Sequence, residues 1–438
     1  MNMIDVSVIG AGLAGCEAAC TLSKMGLNIR LYEMKPLRRQ PAHKTDLLCE
    51  LVCSNSLRSD SLDNAVGLLK EELRRLGGTV IGCADRTRLP AGGALAVDRT
   101  LFAEAVTEKI KNDPHIELIH EEITKIPDGC VIIATGPLTD GVLLADIENL
   151  LGESLHFFDA AAPIISLESL DMTKIYRASR YDKGCDYLNC PMTRLVYFNF
   201  IRALTQAERV ILHDFEKKDV FEGCIPVEIM AQRGALTLAY GPMKPTGLEN
   251  CRASDGRKPF AVVQLRQDNA EGTLFNIVGF QTNLKFSEQK RVFSMIPGLE
   301  NAEFVRYGVM HRNSFLRSPG LLNWDYSLKK RNTLFFAGQL TGVEGYVESM
   351  ASGFAAGINA ARRIKGEEPV DFTRKTAIGA LAHYVSEYNG GDFQPMNINF
   401  GIMEGIFNAP KDKRKRALAF SERALAEIEK IRLQMLPE

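Results

Sequence analysis

The hexapeptide Gly10-Ala11-Gly12-Leu13-Ala14-Gly15 constrains this chain more than any other feature. It joins an apolar run over residues 4–9 to a segment over 13–25 whose apolar residues recur at helical spacing until Gly26. That context predicts a tight turn from a buried strand into a helix. Glycines at these three positions permit the turn, let backbone N–H groups approach a pyrophosphate and let the helix pack closely, while the helix N-terminus adds partial positive charge. A second strand is expected over 28–33, ending on Glu33, an acid spaced to bond ribose hydroxyls. The six residues 10–15 and Glu33 are therefore the expected cradle of a dinucleotide, on a parallel sheet begun by a strand-helix-strand crossover.

Further along, residues 61–76 and 99–112 read as helices, the first closed by Gly77-Gly78, and 131–136 as a buried strand running into a glycine turn. From about 155 to 300 the runs become shorter and richer in Pro, Gly and aromatics. Strand-glycine-helix punctuation returns with a strand at 333–337, Gly338, and a helix at about 347–365 built largely of Ala and Gly, which suggests close packing of helix on sheet. A plain nicotinamide dehydrogenase has no need of that return. The chain resembles the large FAD-dependent class in which an N-terminal motif holds ADP and a C-terminal segment covers the isoalloxazine, so Gly338, Gly342, Gly345 and Tyr346 join the expected cofactor site. With 438 residues, two compact regions are expected. The expected fold is α/β: a Rossmann-like FAD-binding domain, a parallel sheet with flanking helices, made of 1–155 and 300–438, with an inserted α+β domain over 156–299.

Charge is nearly balanced, 53 basic against 54 acidic residues, so any nucleic-acid site must be a local patch. No apolar run reaches the ~18 residues of a membrane span, and residues 1–12 enter a strand pattern with no export signal, so a cytoplasmic protein with reduced thiols is expected. No two of the ten cysteines form a CxxC pair and no histidine stands near them at zinc spacing, so no metal site is expected.

Longer strings narrow the reading. LVCSNSLRSDSLDNAVGLLKEEL (51–73), PAGGALAVDR (90–99), ATGPLTD (134–140), FEGCIPVEIMA (221–231), VVQLRQDNAEGTLFNIVGFQTNLKF (262–286), MIPGLENAEFVRYGVMHRN (295–313) and AGQLTGVEGYVESMASG (337–353) resemble the folate- and FAD-dependent tRNA uridine-5-methyltransferase family, TrmFO, over nearly the whole chain. The resemblance implies methylation of C5 of the T-loop uridine of tRNA, position 54. The carbon comes from 5,10-methylenetetrahydrofolate, the electrons from reduced FAD, and NADPH or NADH reduces the flavin again. Uracil C5 becomes nucleophilic when a group adds at C6, and a thiolate suits that addition. Cys53 and Cys224 match the family's two functional cysteines, with their division of labour left open. His311, Arg306, Arg312, Arg317 and the Lys329-Lys330-Arg331 cluster are candidates for the folate or RNA cleft, and whether the basic block at 411–416 touches tRNA is left open. Two other functions stay open: the same chemistry on ribosomal RNA, and a non-methylating flavoprotein subunit like MnmG.

Overall fold

A computed structural model describes residues 4–40, 42–152, 155–210, 225–248, 253, 256–308, 310–390 and 393–435, with only the backbone of 155–160 and 310–312. Its main sheet has six strands in the order Ser327–Leu328, Arg331–Phe336, Cys130–Ile133, Val6–Ile9, Ile29–Glu33 and Ile116–His120. All pairings are parallel except that of the Ser327–Leu328 edge strand. The two central strands, Cys130–Ile133 and Val6–Ile9, are mostly aliphatic because both faces are covered, the usual condition of a parallel sheet. Val8, Ile132 and Phe335 pack into the larger core with the helices Leu13–Lys24 and Tyr346–Lys365. Their neighbours Ile9, Val131, Ile133, Leu334 and Phe336 join a second core on the opposite face, with Leu143 and Ile147.

Strands from both ends of the sequence thus share one sheet: Phe336 stands in register with Ile133, and Ile133 with Ile9. The small residues of the late helix have a different reason from the expected one. Their tightest approach is to the first helix, not to the sheet: a Cβ on Gly353 would lie 2.1 Å from the Ala14 carbonyl oxygen, and one on Gly357 3.1 Å from that of Ala18. The helix expected over 61–76 begins only at Ala65, where the Asn64 side chain accepts from the Val66 N–H at 3.3 Å.

A second, antiparallel sheet has the order Tyr176–Arg177, Tyr187–Met192, Ala261–Gln267, Leu274–Ile277, Ile164–Ser166 and Phe304–Arg306. Strand alternation sorts its faces. Ala261, Val263 and Leu265 pack against the helix Arg194–Gln206 through Tyr197, Phe200 and Leu204. Gln264 and Arg266 point to the other side, where the segment 51–55 lies. Among the described residues no helix is long and apolar enough to cross a membrane.

Candidate functional site

The parallel strands end on a cleft of about 470 Å³, walled by the glycine loop, Glu33, 52–58, 134–140, Arg266 and 338–349. This is where open α/β sheets bind ligands. Gly10 has φ +97°, and a Cβ there would sit 2.7 Å from the Ala134 carbonyl oxygen. Gly15 lies under it, its Cβ position 1.8 Å from the Gly10 oxygen. Gly12 differs: nothing stands within 4 Å of its Cβ position, so the protein itself leaves that space open. Ala11, Leu13 and Ala14 complete this wall. No side chain caps the helix that starts after Gly12, so its first N–H groups face the cleft with their partial positive charge. The buried Glu33 carboxylate accepts from the Ala11 N–H at 3.2 Å and the Lys35 N–H at 3.0 Å. Those two bonds fix the loop and leave other carboxylate lone pairs on the cleft side.

The late segment closes the opposite wall. Gly338, Gly342 and Gly345 all have positive φ, +77°, +89° and +114°. Gly338 abuts Ala14, Gly342 turns beneath the Phe393 ring away from the cleft, and Gly345 opens the helix Tyr346–Lys365, again with no side-chain cap. Two uncapped helix N-termini therefore face one cleft, a fit for a long ligand with two electron-rich ends. Beside the second, Arg58 holds a left-handed φ of +63° and pairs with the fully buried Glu348, which also accepts from the Ile398 N–H at 3.0 Å.

Cys53 lies on this cleft, on a segment gripped from four elements. The Tyr346 hydroxyl accepts from the N–H groups of Cys53 at 2.8 Å and Ser54 at 3.3 Å. Arg99, at the start of its helix, donates to the carbonyls of Leu51 and of Cys53, the latter at 3.3 Å, and pairs with Asp268 at 2.9 Å. Arg306 donates to the Val52 carbonyl. Arg266 donates to Ser54 Oγ at 2.7 Å and Asn55 Oδ1 at 3.0 Å, while Asn55 Nδ2 reaches the carbonyls of Val97 and Gln267. Burial works against the Arg99 charge, but Asp268 and smaller contributions including Cys53 more than restore it. Arg266 is held below the ordinary guanidinium range by burial, and Arg306 by burial and then by Arg99. Burial pushes the Tyr346 hydroxyl well up, keeping it neutral.

Of the residues singled out from the sequence, the glycine loop, Glu33, Gly338, Gly345, Tyr346 and Cys53 meet at the cleft, while Gly15 and Gly342 shape its backbone from behind. Cys224 and the side chains of His311 and Arg312 lie outside the described residues. Lys329-Lys330-Arg331 lie at the start of a strand parallel to the first one, at the end of the sheet opposite the cleft. Arg331 there donates to the carbonyls of Pro127 and Gly129. Arg317 is exposed, and the basic block opens an exposed helix start where Arg414 pairs with Asp63 at 3.1 Å. Arg99, Arg266, Asn55 and Asp268 were not legible as site residues. The one local hint was Arg266, the single charged residue of its strand Ala261–Gln267.

Together the fold and the site define a dinucleotide-binding protein with a cysteine presented at the cofactor cleft. Residues 5–368 match the glucose inhibited division protein A family. The chain is 59% identical over 428 residues to the methylenetetrahydrofolate--tRNA-(uracil-5-)-methyltransferase TrmFO of Bacillus licheniformis, spanning 97% of this chain and 98% of that protein. It is 57% identical over 433 residues to the protein of the same name from Bacillus subtilis, spanning 98% and 99%. Among solved structures, GidA of Aquifex aeolicus superposes with a TM-score of 0.72 at 18% identity, covering all of this chain and 75% of that one. The chain belongs to the glucose inhibited division protein A family and, within it, to the TrmFO family.

Proposed function

We propose that this protein methylates C5 of uridine 54 in the T-loop of tRNA, with 5,10-methylenetetrahydrofolate as carbon donor and FAD as the resident cofactor. The observation that carries the reading is the meeting of Cys53 with the glycine cradle in one cleft, in a chain 59% identical to a TrmFO over nearly its full length. The open space at Gly12 and the uncapped helix starts after Gly12 and Gly345 suit the pyrophosphate and the far ring system of FAD, with Glu33 for the ribose. Reduced FAD supplies the hydride that turns a methylene into a methyl group. NADPH or NADH is the reductant that restores it.

The chain's own part is to add a thiolate to uracil C6, which makes C5 nucleophilic, and to remove the C5 proton once the carbon is attached. Cys53 and Cys224 divide these tasks. The target base has to leave its stack to reach a sulfur at the cleft. We take residues 1–155 and 300–438 as the cofactor domain and 156–299 as its insertion, a division supported by the two sheets, with the strand Phe304–Arg306 reaching across. Action on tRNA implies a cytoplasmic enzyme.

The test is to incubate the purified yellow protein with unmodified tRNA or ribosomal RNA, methylenetetrahydrofolate and NADPH or NADH, and to assay 5-methyluridine. Product with tRNA and folate is expected. Product only with S-adenosylmethionine, or only on ribosomal RNA, overturns the reading.

A further inference from the structure

We propose that Cys16 and Cys49 are an oxidation site, a thiol pair that a hydroperoxide converts into a reversible disulfide and so loosens the glycine loop's hold on its ligand. The two residues, from separate segments, converge on one atom of that loop. Cys16 Sγ, in the first turn of the helix Leu13–Lys24, donates to the Ala11 carbonyl at 3.3 Å, and the Cys49 N–H donates to the same oxygen at 3.1 Å. Their thiols are also hydrogen-bonding neighbours of each other. Cys49 keeps this place with a left-handed φ of +54°, costly for a residue with a Cβ, so the fold and not local preference holds it there. Both side chains are buried in the larger core, and Cys49 alone of the two also borders the cleft. The nearest other cysteines are placed differently: Cys20, one turn further along the helix, has Thr79 as its side-chain partner, and Cys53 is tied by its backbone to Tyr346.

Burial pushes the Cys16 thiol well up, with Cys49 next and the Glu33 carboxylate after it, against Lys35. Cys16 therefore stays protonated, and Cys49, on the cleft side, meets the oxidant first. The Cys49 sulfur attacks one peroxide oxygen and the O–O bond breaks. That oxygen stays on sulfur as a sulfenic acid, and the other leaves with the thiol proton as water or an alcohol. The Cys16 sulfur then attacks the Cys49 sulfur, the S–O bond breaks, and the oxygen leaves as water with the Cys16 proton. Two thiols lose two electrons and the hydroperoxide gains them; a small thiol reductant reverses the bond, as suits a transient disulfide in a reducing compartment. The oxidised Cys16 sulfur has no proton left to give, so the Ala11 carbonyl loses one of its two donors. Bonding the sulfurs also draws residue 49 away from the cleft wall. This effect on the ligand rests on the reading of the glycine loop as the cradle of FAD; the cross-link does not. Oxidation should weaken FAD binding about fivefold, the worth of one neutral hydrogen bond, and by reciprocity bound FAD opposes the disulfide by the same factor.

The experiment treats the flavin-loaded full-length protein with hydrogen peroxide, digests it with a glutamate-specific protease without reduction, and maps cross-links by mass spectrometry. Cleavage after Glu17 and Glu50 separates Cys16 from Cys20 and Cys49 from Cys53. A Cys16–Cys49 pair is expected, with loss of two of the ten thiols and full return on adding dithiothreitol. Cys16→Ser and Cys49→Ser should each abolish the pair, and Cys20→Ser should keep it. No cross-link in wild type, or one joining Cys16 to Cys20 or Cys49 to Cys53 instead, overturns the proposal, and this holds even if the serine variants misfold. The FAD dissociation constant of the oxidised and re-reduced protein tests the effect on the ligand, and equal values overturn that coupling. A reduced protein that binds no FAD would instead remove the reading of the glycine loop as its cradle, and leaves the mapped cross-link as it stands.

Discussion

The Tyr346 hydroxyl accepts a 2.8 Å hydrogen bond from the backbone N–H of Cys53, tying together residues 293 positions apart. The first residue of the late helix thereby sets the height of the cysteine in the cleft. Tyr346→Phe keeps the ring and removes the acceptor of two N–H groups. A neutral hydrogen bond contributes about 1 kcal/mol, so turnover should fall roughly fivefold with flavin content unchanged. Steady-state kinetics beside a flavin spectrum checks this, and loss of flavin in step with activity would assign the tyrosine to cofactor retention instead.

Gly12 and Gly15 should respond differently to the same change. Alanine at 15 collides with the Gly10 carbonyl, whereas alanine at 12 meets no protein atom within 4 Å. Gly15→Ala is expected to lower the melting temperature of the flavin-free protein. Gly12→Ala should leave that temperature within a degree or so and still weaken flavin binding, by tenfold or more if the Cβ meets the pyrophosphate. Titration of flavin-free protein with FAD measures the second effect.

Asp268→Asn leaves the Arg99 charge buried without its partner. Breaking a buried pair of this kind costs about 3–5 kcal/mol. The loss should appear in urea unfolding, and the segment that Arg99 grips at Leu51 and Cys53 should become more open to proteolysis. Asp268→Glu, which keeps the charge, should recover part of both.

Lys70 provides a pH signature of folding. Its fully buried ammonium donates to the carbonyls of Leu57 and Ser59, on either side of the left-handed Arg58, and burial lowers its pKa to about 7. Between about 7 and the ~10.4 of the unfolded chain, the unfolded state binds a proton that the folded state has released. This group therefore makes stability rise with pH across that window, by up to about 1.4 kcal/mol per unit, and fall as pH drops towards 7. Denaturant unfolding at several pH values should show the slope in wild type and its loss in Lys70→Met. Parallel slopes in the two proteins would contradict the assignment.

Residues 10–15 were legible in the sequence because their constraint is local: a glycine at φ +97° and another pressed onto its carbonyl follow from one turn between a strand and a helix. The mostly apolar central strands were legible for a similar reason, since a strand covered on both faces favours apolar residues at nearly every position. Strand direction across the sheet is another matter. Lys329-Lys330-Arg331 looked like cleft residues by charge, but parallel pairing of Arg331–Phe336 with Cys130–Ile133 puts them at the far end. The glycines of the late helix signalled close packing without naming the partner, which is Ala14 and Ala18 of the first helix. Cys53 could be singled out by its surrounding string, yet nothing nearby in sequence announced its environment. By itself the sequence determined the dinucleotide turn, the sheet type and the cysteine. Only the tertiary structure decided that Arg99, Arg266 and Arg306 grip the segment that carries that cysteine, because a buried charge is given its role by what folding brings against it, here from segments 46 to 254 residues away.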